Sequence, residues 1–234
     1  MSDDRALSRP ASPLAHMRDR MAEADAAFRA GLDTAATEAD ILRLARNLLG
    51  LCDEVAETLR HLAPVKALAC RAGCDTCCHS LIQVNPVFAI LAMAEARRTF
   101  SADQFEILRD RLVSGSSFCP FLFDGACAIY QSRPMVCRGY YSFDLALCRQ
   151  GDYCEKDLGY QGDGAHAAHQ LMIFLFALEK RLESIEESLG LDSGPVFLHA
   201  AARVLLEGPD AARRWRTGER VFPGALLDAA RDNP

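Results

Sequence analysis

The cysteines constrain this chain more than any other feature. Nine of its ten cysteines lie between Cys70 and Cys154, and the densest run is Cys70-Arg-Ala-Gly-Cys74-Asp-Thr-Cys77-Cys78. Thiolates a few residues apart on an irregular backbone can converge on one metal ion or on one corner of a cluster, and Gly73 allows a tight turn between them. The sequence therefore predicts a metal or iron–sulfur centre in this region.

Length and composition argue against a disulfide framework. The chain has 234 residues, half of them hydrophobic, which is enough to bury a core without covalent staples. Residues 1–13 carry charges and lack the apolar segment of a signal peptide, so we expect reduced thiols and a cytoplasmic location. The longest apolar run, Leu171 to Leu178, is shorter than the roughly 20 residues of a membrane span. A net charge of -6 disfavours nucleic acid as a partner.

Apolar residues recur at helical spacing on both sides of the cysteine region. The two series are Ile41, Leu44, Leu48, Cys52, Val55, Leu59 and Leu62, and then Leu171, Phe174, Leu175, Leu178, Leu182, Ile185 and Leu189. Thr37 and Asp40 have the spacing of a capping box, and Asp124-Gly125 indicates a tight hairpin turn. The predicted fold is mainly α, with helices packed around a cysteine-rich metal-binding centre and one short β-hairpin.

Composition divides the chain into three regions that we expect to pack as one compact domain. Residues 1–64 form an N-terminal helical region, whose polar, alanine-rich start is expected to be partly disordered. Residues 65–160 form the cysteine-cluster region, and residues 161–234 form a C-terminal helical region. Asn85 and Pro86 predict the start of a further helix inside the middle region.

The predicted ligands come from several separate segments. They are Cys70, Cys74, Cys77, Cys78, Cys119, Cys127, Cys137 and Cys148. Neighbouring side chains point in different directions, so either only one of Cys77 and Cys78 is a ligand, or two centres share the loop. In a straight hairpin Cys119 and Cys127 would point to opposite faces, so they can share a centre only if Pro120 bends the chain. Cys52 lies on an apolar helix face and is predicted to be structural.

The motifs of this region resemble a known family. They are Cys70-x3-Cys74-x2-Cys77-Cys78, Cys119-Pro120-Phe121-Leu122, Gly125-Ala126-Cys127-Ala128-Ile129-Tyr130 and Arg133-Pro134-Met135-Val136-Cys137-Arg138. This pattern is similar to the YkgJ-type cysteine-cluster family, which is described as a putative zinc- or iron-chelating domain and is related to the flagellin lysine N-methylases. The resemblance implies a metal centre and leaves its reaction unassigned.

The identity of the metal and the role of the centre stay open at this stage. Four ligands satisfy one structural zinc, so nine cysteines favour an iron–sulfur cluster, although two zinc ions would also use them. Arg133 and Arg138 flank Cys137 and are predicted to offset the negative charge of the bound cofactor. We consider an enzyme acting on the side chain of a protein partner, a redox protein, and a zinc-stabilised structural or interaction module without catalytic activity.

Overall fold

The computed structural model describes residues 13–61, 68–140, 142–150 and 163–222. The helices are α1 (Pro13–Thr34), α2 (Glu38–His61), α3 (Pro86–Thr99), α4 (Ala102–Ser114), α5 (Met135–Gly139), α6 (Leu145–Arg149), α7 (Asp163–Ser188), α8 (Leu198–Glu207) and α9 (Ala211–Arg216). The strands are β1 (Gln83–Val84), β2 (Leu122–Phe123), β3 (Ala126–Cys127) and β4 (Val196–Phe197). Two 3₁₀ turns, Thr76–His79 and Tyr130–Ser132, lie in the cysteine region.

Helix α2 forms because a capping box fixes its start and apolar residues recur at helical spacing along it. The Thr37 hydroxyl accepts from the Asp40 backbone N–H at 3.3 Å, and the Asp40 carboxylate accepts from the Thr37 N–H at 3.0 Å. The predicted face from Ile41 to Leu59 is buried and packs against α1, α3, α5 and α7. The capping-box prediction is confirmed, whereas Leu62 lies outside the described residues.

Helix α3 is apolar on nearly every side and is buried through most of its length. Asn85 starts it, because its side-chain oxygen accepts from the Val87 N–H at 3.0 Å and Pro86 occupies the first turn. The amide of Asn85 also donates to both carboxylate oxygens of Glu186, at 2.9 and 3.0 Å. One side chain therefore starts α3 and joins it to the end of α7.

Two short antiparallel pairs complete the described architecture. Strands β2 and β3 form the predicted hairpin, with Phe123 opposite Ala126 and Leu122 opposite Cys127. Strands β1 and β4 pair across a long sequence separation, with Val84 opposite Val196. This second pair was not predicted, because two-residue strands give too little alternation to be recognised.

Buried apolar residues from all three predicted regions belong to one hydrophobic cluster, which includes Leu48, Phe88, Leu178 and Trp215. The mainly α prediction is confirmed, and the regional boundaries remain a prediction. From Pro13 onward the residues form α1, which buries Phe28 and Leu32 and packs against α2 and α7. The expected partial disorder at the start stays a prediction, because residues 1–12 lie outside the described residues. Within the described ranges, every helix is too short or too polar to cross a bilayer.

Candidate metal centre

The loop from Cys70 to Cys78 turns sharply, as its glycine predicts. Gly73 has a φ of +87°, and the Cys74 N–H donates to the Arg71 carbonyl at 3.1 Å. The chain then enters the 3₁₀ turn Thr76–His79, which carries Cys77 and Cys78. Cys70 is fixed separately, because its thiol donates to the Tyr140 carbonyl at 2.6 Å and accepts from the Ser142 N–H at 3.2 Å.

A backbone hydrogen bond brings the second cysteine segment to the first. The Cys119 N–H donates to the Cys78 carbonyl at 2.6 Å, and the thiol of Cys78 hydrogen-bonds to the thiols of Cys77 and Cys119. A turn follows, in which the Leu122 N–H donates to the Cys119 carbonyl at 3.0 Å across Pro120. Cys119 therefore lies before the hairpin ladder, which confirms the predicted bend.

The third segment is helix α5, which begins after Pro134 and carries Cys137. The Cys137 N–H donates to the Pro134 carbonyl at 3.0 Å, which closes the first turn. Arg133 stacks on the Tyr130 ring, with its guanidinium carbon 4.0 Å from the ring centre, and donates to the Tyr130 carbonyl at 3.0 Å. Arg138 is buried and forms an ion pair with Asp53 of α2.

These segments surround one cavity of about 120 Å³. The cysteines that line it are Cys70, Cys74, Cys77, Cys78, Cys119, Cys127 and Cys137. Arg133, Arg138, Tyr130 and Tyr140 also line it. The structure thus gathers seven of the eight predicted ligands and both predicted arginines around a common space.

The remaining cysteines occupy other environments. Cys148 lies on α6, close enough to interact with Cys70 electrostatically, but it does not line the cavity. Cys52 is buried in the core on α2, which agrees with its predicted structural role. Cys154 and three of the five tyrosines, Tyr141, Tyr153 and Tyr160, lie outside the described residues.

Burial favours the protonated form of the cavity thiols. Burial raises the pKa of Cys70 to about 12, and it also raises the pKa values of Cys127 and Cys137. Hydrogen bonding to Cys119 raises the pKa of Cys78 to about 12, and hydrogen bonding to Cys78 also raises the pKa of Cys77. A metal would have to displace these protons, so binding would release protons to solvent.

The two arginines act on different neighbours. The Arg133 guanidinium partly offsets the raised pKa values of Cys77, Cys127 and Cys137. Arg138 faces Asp53 and Cys52, and burial lowers its own pKa. The cation with the broader effect on the cavity thiols is therefore Arg133. Asp53 was missed by sequence reasoning, because nothing distinguishes it from other acidic residues on an exposed helix edge.

The donor set fits zinc or iron, both of which accept thiolate ligands. In the part of the chain that the structure describes, no three cysteine, histidine or acidic side chains are already close enough together to hold a single ion. His79 does not complete such a group of three ligands. Its side chain is 56% exposed, and its ring nitrogen lies 3.4 Å from the carboxylate of Asp75. Direct ligation by the individual cysteines therefore stays a prediction.

Comparison with known families agrees with this geometry. Residues 69–155 match the model of the CxxCxxCC family, described as a putative zinc- or iron-chelating domain. The cysteine-rich region is therefore similar to this cysteine-cluster family. The match contains every cavity-lining cysteine and excludes Cys52. The cysteine-cluster family's name has two residues between its first cysteines, where this chain has three.

No curated protein and no solved structure matches the chain. The description of the cysteine-cluster family supports a metal-binding role and does not distinguish iron from zinc. The relation to YkgJ-type proteins and to the flagellin methylases stays a prediction.

Proposed function

We propose that the cavity thiols hold an iron–sulfur centre and that the protein has a redox function. The observation that carries this proposal is the convergence of seven cysteines on one cavity. A single structural zinc requires only four ligands. Seven thiols around one space exceed that need and provide enough donors for a cluster with additional nearby thiols.

The size of the cavity supports a centre of several atoms. Its volume is about 120 Å³, several times the roughly 10–15 Å³ that one water molecule requires. Four thiolates bound to one zinc ion would contact that ion directly and would close most of this space. A cluster of iron and sulfide would occupy it while keeping the surrounding loops apart.

The surroundings also suit a centre that changes its charge. A cluster held by thiolates is anionic, and the Arg133 guanidinium provides a fixed positive charge near Cys77, Cys127 and Cys137. Apolar side chains cover other parts of the wall, among them Leu68, Ile82, Phe121, Ile129 and Leu198. These groups exclude water and strengthen the electrostatic effect of the arginine.

A zinc-stabilised structural module is the second candidate. Its supporting observation is that backbone bonds already tie the cysteine segments together, from Cys119 to Cys78 and from Cys70 to Ser142. A closed zinc site would strengthen those same connections without redox chemistry. The two candidates differ in one property, since zinc does not accept an electron.

The test is the absorption spectrum of anaerobically purified protein before and after reduction with dithionite. An iron–sulfur centre gives brown protein with absorption near about 400 nm that bleaches on reduction. A protein with zinc alone is colourless and does not respond to dithionite. The second result would replace the redox proposal with the structural one.

A further inference from the structure

A second cavity shares a wall with the cysteine cavity. It is a cleft of about 490 Å³ between α2, the end of α3, the 3₁₀ turn Tyr130–Ser132 and α5. Asp53 and Arg138 line both spaces, so their ion pair forms part of the boundary between them. No cysteine in the described ranges lines the cleft, and the proposed metal centre does not use it.

Arg138 has an unused donor at this boundary. Its side chain is only 5% exposed. One terminal nitrogen contacts Asp53, and the other donates to the Gln131 carbonyl at 2.7 Å. Its Nε is buried and has no hydrogen-bond partner within the described residues. Buried donors are nearly always paired in native proteins, so the positive charge of this guanidinium is incompletely balanced by its own contacts.

The cleft also has an excess of positive charge. Glu95 is hydrogen-bonded to Arg98, whose Nε lies 3.3 Å away, and it lies 3.7 Å from Arg46, beyond hydrogen-bond distance. Asp53 is engaged by Arg138. The lining of the cleft therefore has two carboxylates and three guanidinium groups, those of Arg46, Arg98 and Arg138. Among these described residues, one positive charge is left without a matching negative charge. The half-exposed guanidinium of Arg46 is available for a ligand.

We propose that this cleft binds a small organic acid through its carboxylate, which accepts hydrogen bonds from the half-exposed guanidinium of Arg46 beside the buried positive charge of Arg138. A carboxylate carries one negative charge and so matches the excess, and arginine pairs well with its planar geometry. The chain's net charge of -6 disfavours a polyanion. Leu49 and Gly50 of α2 line the same cleft and offer a surface to the carbon chain of the acid.

The test is calorimetric titration of the full chain with butyrate, and with 1-butanol as the uncharged control, at constant ionic strength. We expect saturable binding of butyrate and none of 1-butanol. Arg46→Gln should weaken butyrate binding about tenfold, because a hydrogen bond to a charged group is lost. Arg43→Gln is the matched control, since Arg43 lies on the same helix and pairs with Asp40 at 2.7 Å.

The proposal is supported if Arg43→Gln binds butyrate within about twofold of the unchanged protein while Arg46→Gln does not. It is overturned if the unchanged protein shows no saturable binding of butyrate. Equal weakening by both substitutions would also overturn it, because that result indicates a general effect of charge. Metal content, measured in each variant, should stay constant, since neither residue lines the cysteine cavity.

Discussion

Cys52 and Cys137 carry the same side chain in different surroundings. Cys52 lies in the apolar core on α2, where burial raises its pKa to about 12. Cys137 lies on α5 and lines the cavity with six other cysteines. Cysteines in apolar cores behave as small hydrophobic residues, whereas thiols gathered around one space can bind metal. The two residues therefore form a natural pair of substitutions.

We predict that Cys137→Ala lowers the metal content per chain and that Cys52→Ala leaves it unchanged. Cys52→Ala should instead reduce the free energy of unfolding by about 1 kcal/mol, because it removes a buried sulfur atom. Elemental analysis and denaturant titration measure the two effects. Equal loss of metal in both variants would contradict the assignment of Cys52 to the core.

Arg133 provides a second test at this scale. Its guanidinium acts on three cavity thiols, so it should also stabilise added negative charge on a bound cluster. We expect Arg133→Gln to lower the reduction potential by tens of millivolts, which is roughly 1 kcal/mol for one electron. Arg109→Gln on the exposed face of α4 is the control. The reduction potential of the cluster in this variant should equal that of the unchanged protein. A potential that is the same in both variants would contradict a role for Arg133 in charge compensation.

Among the elements, the start of α3 and the end of α7 are joined by Asn85 and Glu186. Burial is the main cause that raises the pKa of Glu186 to about 8; the Asn85 hydrogen bond opposes it, and the nearby Glu183, Asp192 and Glu187 contribute to the increase. The folded chain therefore holds this proton at pH values where the unfolded chain has released it. Stability from this group is present at low pH and is lost as pH rises from about 4.5 to about 8.

We predict that Glu186→Gln removes part of this pH dependence. Between pH 5 and 8 the unfolding free energy of the unchanged protein should fall more steeply than that of the variant, with a difference of up to about 1.4 kcal/mol per pH unit. Denaturant titrations at several pH values measure both slopes. Parallel slopes would show that Glu186 is ionised throughout the folded state.

Replacing Gly125 and Gly50 by alanine should change the stability of the fold in opposite directions. Gly125 has a φ of +71° in the hairpin turn before Cys127, whereas Gly50 lies within α2 with open space at its Cβ position. Gly125→Ala should destabilise the fold by about 1 kcal/mol and lower the metal content, because it strains the hairpin. Gly50→Ala should stabilise the fold by about 0.5–1 kcal/mol. The same sign of change in both variants, measured by thermal unfolding, would contradict this reading.

For the whole molecule, the centre would link segments that are far apart in the sequence. The loop at Cys74, the hairpin and α5 all line the cavity, so metal binding should add to the stability of the fold. Anaerobic chelation should therefore lower the melting temperature by roughly 5 °C or more. Cys137→Ala, which is expected to hold less metal, should respond less to the chelator. An unchanged melting temperature after complete metal removal would contradict this account.

The sequence predicts the helices well because capping and periodicity are local signals. Thr37 with Asp40, Asn85 with Pro86, and Asp124-Gly125 each specify a boundary or a turn within a few residues. The arrangement around the cavity depends on distant contacts instead. The pairing of Arg138 with Asp53 has no local signal, and the short β1–β4 ladder has none either. The cysteine spacing predicts which residues gather, but not that Cys148 lies outside the cavity lining.

The central claim is that the seven cavity cysteines hold an iron–sulfur centre. The most direct test is the amount of iron, zinc and acid-labile sulfide per chain in anaerobically purified protein. The account predicts iron and sulfide in near-equal amounts with little zinc, and loss of both in Cys137→Ala. Stoichiometric zinc without iron or sulfide would contradict the claim.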